Sequence, residues 1–170
     1  DHTVFMNRQR RGLLRLPSED KNADMYEYIM DILAKNGYNH YEVSNFGLPG
    51  FESKHNITYW DNEEYYGIGA GASGYLAGIR YKNLGPVHHY LKAAPTEKRV
   101  NEEVLSKKSQ IEEEMFLGLR KKSGVLVEKF ENKFKCSFEK LYGEQITELI
   151  NQKLLYNDRQ RIHMTDKGFE

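Results

Sequence analysis

At 170 residues the chain is long enough for one large domain or two small ones and for burial of roughly two-thirds of its unfolded surface. Its 25 Lys and Arg balance 25 Asp and Glu, so composition gives no electrostatic reason to expect nucleic acid or acidic lipid as a partner. No run approaches the ~18 apolar residues of a transmembrane helix, and the single cysteine, Cys136, excludes an internal disulfide or a Cys-only metal or iron–sulfur site and points to a reducing, cytoplasmic compartment.

Asp1-His2-Thr3-Val4 lacks the basic head and apolar core of a signal peptide, and a start without Met suggests a piece of a longer protein. Residues 1–17 read as irregular, with Arg8, Arg10, Arg11 and Arg15 crowded around Gly12 as a solvated basic loop or an anion contact. Ser18 reads as an N-cap, with Glu19 and Asp20 in the first turn where the helix dipole favours them. Met25, Tyr28, Ile29, Ile32 and Leu33 follow at helical spacing, and Gly37 suits a C-terminal stop, which predicts a helix from about Glu19 to Asn36.

The run Tyr41-Glu42-Val43-Ser44 reads as the end of a buried strand. Helix, short turn and strand make half of an α/β repeat, in which ligands sit beyond strand carboxyl ends. From that end leaves a long aromatic loop holding His55-Asn56-Ile57-Thr58-Tyr59-Trp60 and closing on Gly67-Ile68-Gly69-Ala70-Gly71-Ala72. A loop of that length is usually functional or disordered, and this one is too aromatic for a disordered linker. Two short strands around an Ala77-Gly78 turn follow, then a helix opened by Pro86 and stopped by Pro95. The polar stretch Thr96 to Asn101 is the best boundary between two domains, and ten of the twelve tyrosines lie before it.

Beyond it, Ser109 with Glu112 resembles a capping box, and Met115, Phe116 and Leu119 mark an apolar helix face. A second helix carries Leu126, Val127, Phe130 and Phe134, and a third runs from about Phe138 to Ile150. Leu154 to Met164 reads as a hairpin, so this half resembles a winged helix. From Lys121 to Glu170 ten basic and eight acidic residues are interleaved, without the concentrated basic face of a DNA reader.

His55 has the chemistry of a metal or haem ligand, with Tyr59 and Trp60 as flat walls; equally, it fits a histidine hydrogen-bonded within its loop beside two core aromatics. The glycines permit close approach of a ligand to the backbone, or tight strand packing. Gly67, Gly69 and Gly71 lack the dinucleotide-binding spacing. Glu42 and Asn45 flank the strand end, where a carboxylate orients a ligand or anchors loop amides. His88 and His89, adjacent on a helix, read as a surface or packing pair. No catalytic triad, carboxylate pair or phosphate-binding loop emerges, and no catalytic residue is assigned.

The segments YEVSNFGLPGFESKHNITYW and YYGIGAGASGY, with EEEMFLGLRKKSGV, ITELINQKLL and IHMTDKG further on, resemble the HemW group of radical SAM proteins, which are similar to oxygen-independent coproporphyrinogen III oxidase. The resemblance covers essentially the whole chain. It implies an α/β fragment, the C-terminal end of a partial radical SAM (β/α) barrel over residues 1–99, followed by a mainly helical, winged-helix-like domain over 100–170. Full-length members carry a CxxxCxxC motif for a [4Fe–4S] cluster that binds S-adenosylmethionine. They are regarded as chaperones that pass haem to an acceptor protein, often near the membrane; the alternative activity is oxidative decarboxylation of coproporphyrinogen III.

Carried onto this chain, the resemblance associates His55, Asn56, Tyr59 and Trp60 with haem, His55 being the metal ligand. It places Gly69, Ala70, Gly71, Ala72 and Ser73 in the wall of the S-adenosylmethionine pocket. Two departures stand out. The cluster motif is absent, so the chain is expected to be inactive without an N-terminal barrel. Where relatives usually read GAGAH, this chain has Ser73, and any role of that imidazole is lost. The implied partners are haem or porphyrin, an acceptor protein, the missing barrel and a peripheral membrane contact, but not nucleic acid. A homodimer through the strand edge and apolar face left at the cut is a further expectation.

Overall fold

The computed structural model describes residues 3–169. The stretch expected to be irregular holds a short helix, α1 (Val4–Arg10), because the Thr3 hydroxyl caps it by accepting from the Met6 amide at 3.2 Å; the first two residues of that stretch lie outside the described residues. α2 (Glu19–Lys35) is capped by Ser18, as its sequence predicts. Its apolar face is not covered: Met25, Ile29 and Ile32 are exposed, and Tyr28 is 67% exposed. What ties the helix down is Tyr26, whose hydroxyl donates to the Val43 carbonyl at 2.8 Å.

The strand expected at Tyr41–Ser44 begins earlier, as β1 (Asn39–Glu42), and turns back at once into antiparallel β2 (Asn45–Gly47). Glu42 closes the turn by accepting from the Asn45 side-chain amide, so the strand end carries a hairpin and not an open loop. The segment expected as loop from His55 to Trp60 is helical, α3 (Lys54–Trp60). Its cause is local: the Ser53 hydroxyl accepts from the Asn56 amide at 3.3 Å, satisfying a free donor of the first turn.

A three-stranded antiparallel sheet follows, ordered β3 (Ser73–Leu76), β4 (Ile79–Asn83), β5 (Arg99–Val104). Ala77 and Gly78 join β3 to β4 with φ of +49° and +75°, the geometry of a two-residue hairpin turn. Between β4 and β5 lie α4 (Val87–Lys92), with Pro86 at its N-cap, and a 3₁₀ turn at Pro95–Glu97. The polar stretch Thr96 to Asn101 thus contains part of that turn and the first half of β5.

α5 (Lys107–Leu119) starts from Ser106, whose hydroxyl accepts from the Ser109 amide at 3.0 Å. The cap lies three residues before the expected Ser109 box. β6 (Val125–Leu126), α6 (Val127–Phe134), α7 (Phe138–Asn151), β7 (Leu155–Asn157), β8 (Arg161–Met164) and α8 (Asp166–Phe169) complete the chain, with the second sheet ordered β6-β8-β7. Three helices against a small three-stranded sheet match the winged-helix expectation. Their core is Met115, Phe130, Phe134, Phe138, Ile146 and Ile162, with Phe130 fully buried. Phe116, expected on the apolar face of α5, is instead 66% exposed.

Candidate functional site

α3 is short, so its direction is set by what holds its two ends. At the start, the Ser53 amide donates to the Tyr41 hydroxyl at 3.3 Å, tying the helix to β1. At the finish, the Arg120 guanidinium lies over the Trp60 ring, 4.4 Å from its centroid. Between them His55 is exposed, its ring edge-on to Tyr59 one turn later, with centroids 4.9 Å apart. Among the described residues no hydrogen bond engages either ring nitrogen of His55. The reading of His55 as hydrogen-bonded within its loop therefore lacks a partner, and the imidazole is open to an incoming ligand. The Asn56 amide is used in the helix cap. Trp60 is half-buried, and among the described residues its indole nitrogen has no hydrogen-bond partner.

The small-residue run divides into packing and open positions. A Cβ on Gly67 would meet the Ser73 backbone at 2.6 Å, and one on Gly74 would meet the Tyr81 ring at 2.2 Å, so these two are glycines because the sheet closes on them. Gly69 (φ +98°) meets nothing within 4 Å and Gly71 (φ +71°) nothing closer than 3.8 Å. Left-handed backbone favours glycine there, and the space beside it is free. Asn83, 4% exposed at the end of β4, holds the loop: its side-chain amide donates to the carbonyls of Gly67 at 3.0 Å and Gly69 at 2.9 Å. The Asn83 amide donates to the Ala72 carbonyl at 2.8 Å, and the Gly71 amide to the Leu84 carbonyl at 2.8 Å. Ala70 is half-buried within this arch, and Ser73 is exposed where β3 begins.

The two segments meet indirectly. Tyr59 packs edge-on against Tyr65, with centroids 4.6 Å apart, and Tyr65 exchanges backbone hydrogen bonds of 2.9 Å with Tyr75 on β3. Burial, then the neighbouring Tyr59, pushes the Tyr65 phenol up, so its hydroxyl stays protonated at neutral pH. Tyr59, Trp60, Tyr65 and Tyr75 line a hollow of about 290 Å³. A larger cleft of about 710 Å³ lies between β1, α3 and the turn after α5, lined by His40, Tyr41, Ile57, Asp61, Lys121 and Arg161. His55 lines neither, and among the described residues no hydrogen bond or ring contact joins it to Gly69–Ser73.

Among the described residues no group of three or more His, Cys, Asp or Glu could hold a metal ion. The residues present therefore do not fit an iron–sulfur cluster, whereas the open His55 imidazole is a nitrogen donor that would suit haem iron. Among the described residues Glu42 anchors no loop amide: it is fully buried, accepts from the Asn45 side chain, and its second oxygen has no hydrogen-bond partner. His88 and His89 are exposed, with ring centroids 4.0 Å apart. No sequence motif marks Asn83, Tyr81 or the run Asp61 to Glu63. The alternation Tyr81-Lys82-Asn83, leading inward from the turn, was the available signal.

Comparison with known proteins agrees with this architecture. Residues 105–170 match the family model described as HemN C-terminal domain. The heme chaperone HemW of Lactococcus lactis subsp. lactis (strain IL1403) is 99% identical over the whole chain, which covers 45% of that protein. The heme chaperone HemW of Bacillus subtilis (strain 168) is 43% identical over 98% of this chain and 44% of its own. The chain thus spans less than half the length of these relatives. The radical SAM enzyme coproporphyrinogen III oxidase (HemN) from Escherichia coli superposes with a TM-score of 0.67 at 16% identity, over 90% of this chain and 39% of that one, which shows a shared fold. No helix among the described residues is long and apolar enough to cross a membrane. The chain belongs to the HemW-type group of HemN-like radical SAM proteins.

Proposed function

We propose that this chain is the haem-presenting portion of a cytoplasmic haem chaperone, with His55 as the iron contact and Tyr59 as a wall against the porphyrin. The observation that carries it is the exposed His55 imidazole, whose ring nitrogens make no hydrogen bond among the described residues and whose ring lies edge-on to Tyr59 one helical turn away. The names of the Lactococcus and Bacillus relatives support haem as the cargo. Asn56 belongs to this site through the helix cap and Trp60 through its stacking on Arg120. An acceptor protein takes the haem on, with a peripheral membrane contact and self-association as further partners of the whole protein.

Gly69, Ala70, Gly71, Ala72 and Ser73 form one wall for S-adenosylmethionine, the open arch held by Asn83 leaving backbone groups within reach of a ligand. When bound beside a cluster, that cofactor supplies one-electron chemistry. The cluster's ligands come from a preceding barrel, since Cys136 is the single cysteine. The barrel-end unit is taken as residues 1–99 and the C-terminal unit as 100–170, next to the family match that starts at residue 105.

The test is a haem titration of the full-length protein, followed in the Soret region. Wild type is expected to give a saturable spectrum and His55→Ala to lose it; an unchanged spectrum and affinity in His55→Ala would remove the assignment. Turnover of coproporphyrinogen III by reconstituted full-length protein would instead establish the oxidase reading.

A further inference from the structure

The three residues that follow α3, Asp61-Asn62-Glu63, are each held by the C-terminal unit. Asp61 pairs with Lys121 in the turn after α5. Glu63 accepts from Lys129 Nζ at 2.6 Å. Asn62, buried with φ +50°, donates from its side chain to Glu114 Oε2 at 3.2 Å and accepts at its carbonyl from Lys133 Nζ at 3.1 Å. Lys133 also donates to Glu114 at 2.7 Å, so the middle contact is a closed triangle around a carboxylate only 7% exposed. Lys129 and Lys133 are one turn apart on α6, and Glu114 faces them from α5.

The contacts are unequal. Both partners of the Glu63 pair are about half exposed, and such pairs contribute little singly. The Glu114 triangle is different, because loss of one partner leaves a buried charge uncompensated. Burial alone would pull the Lys129 ammonium down, but the hydrogen bond and attraction from Glu63 outweigh it and raise it, so Lys129 stays charged at neutral pH.

α3 is seven residues, about 10 Å long, too short to set its own direction. His55 lies five residues before Trp60, so a tilt at the held end moves the imidazole.

We propose that Asp61, Asn62 and Glu63, gripped by Glu114, Lys121, Lys129 and Lys133, form a clamp through which the C-terminal unit positions α3. This makes Asn62 and Glu114 positioning residues for His55 without either touching the cargo. The inference rests on the haem reading for its purpose, but not for its mechanics.

The experiment uses full-length protein carrying Glu114→Gln, Asp61→Lys, or the exchange pair Asp61→Lys with Lys121→Asp. Amide hydrogen exchange is followed by peptide, together with haem titration and the Soret spectrum. Faster exchange over residues 53–60 in both single variants is expected, with the α7 peptide unchanged as evidence that the C-terminal unit stays folded. Haem binding about ten-fold weaker with a shifted Soret band is expected alongside, and the exchange pair should restore both. Unchanged exchange over 53–60 in both single variants overturns the clamp. So does failure of the exchange pair to rescue, whereas faster exchange with haem affinity and spectrum intact overturns the role of Asn62 and Glu114 as positioning residues for His55. Absence of saturable haem binding by wild type would remove the haem reading instead, and the exchange data would still decide the clamp.

Discussion

Arg120 reaches two elements at once: its guanidinium sits 4.4 Å from the centroid of the Trp60 ring, and its carbonyl accepts from the Val43 amide at 3.0 Å. One C-cap residue of α5 thereby joins the end of α3 to the turn of the β1–β2 hairpin. Arg120→Ala leaves the backbone bond in place and removes the cation–π contact, so unfolding should become easier by about 1 kcal/mol. Trp60 is the chain's single tryptophan, so its emission should move to longer wavelength in the same variant. Urea unfolding followed by fluorescence measures both.

Asn83 bonds two carbonyls of the glycine arch from a nearly fully buried position. Asn83→Ala should cost about 2 kcal/mol, since two buried acceptors lose their donor. Asn83→Asp should cost more, because an acceptor would then face two acceptors. Thermal unfolding of the two variants is expected to rank them in that order.

Asp158 in the β7–β8 turn is held at a pKa of about 2, below its ordinary 3.8, first by the hydrogen bond from His163 at 2.9 Å and then by the amides of Gln160 and Arg161. A carboxyl whose folded pKa is depressed stabilises the fold fully above its unfolded value and loses that contribution as pH falls through the folded one. The difference in Tm between wild type and Asp158→Asn should therefore shrink as the pH falls from about 4 to 2. A difference that grows on acidification would contradict the assignment.

Phe130 is fully buried, with ring centroids 5.0 Å from Phe134 and 5.2 Å from Phe138. Phe130→Ala should cost about 3–5 kcal/mol by the cavity it leaves. Phe116, with most of its ring in solvent, should lose less than about 0.5 kcal/mol on the same change. Denaturant unfolding separates them.

Periodicity located α2, α6, α7 and the two hairpins well, because each follows one local rule carried by its own residues. It failed at α3, where the helix hangs on a serine cap and on contacts made by residues far along the chain. It also failed on the faces of α5 and α2. Met115 and Phe116 are adjacent, and only packing against α6 and β8 decides that Met115 points inward. For α2 the expected face was correct as a pattern, but no element among the described residues lies over it. The residues proposed for the site, His55 and the glycine run, stand out in the sequence by residue type alone. Their supports, Asn83 and the Asp61–Glu63 grip, depend on partners 14 to 71 positions away in the chain, which no local pattern reveals.

The bare face of α2 also governs how the isolated chain behaves in solution. Copies with a formal net charge of zero at pH 7 have no long-range repulsion to hold them apart, and Tyr28, Ile29 and Ile32 offer each an apolar surface to meet. Colloidal stability should then be lowest near neutrality and improve a few pH units to either side, where the chain as a whole gains net charge.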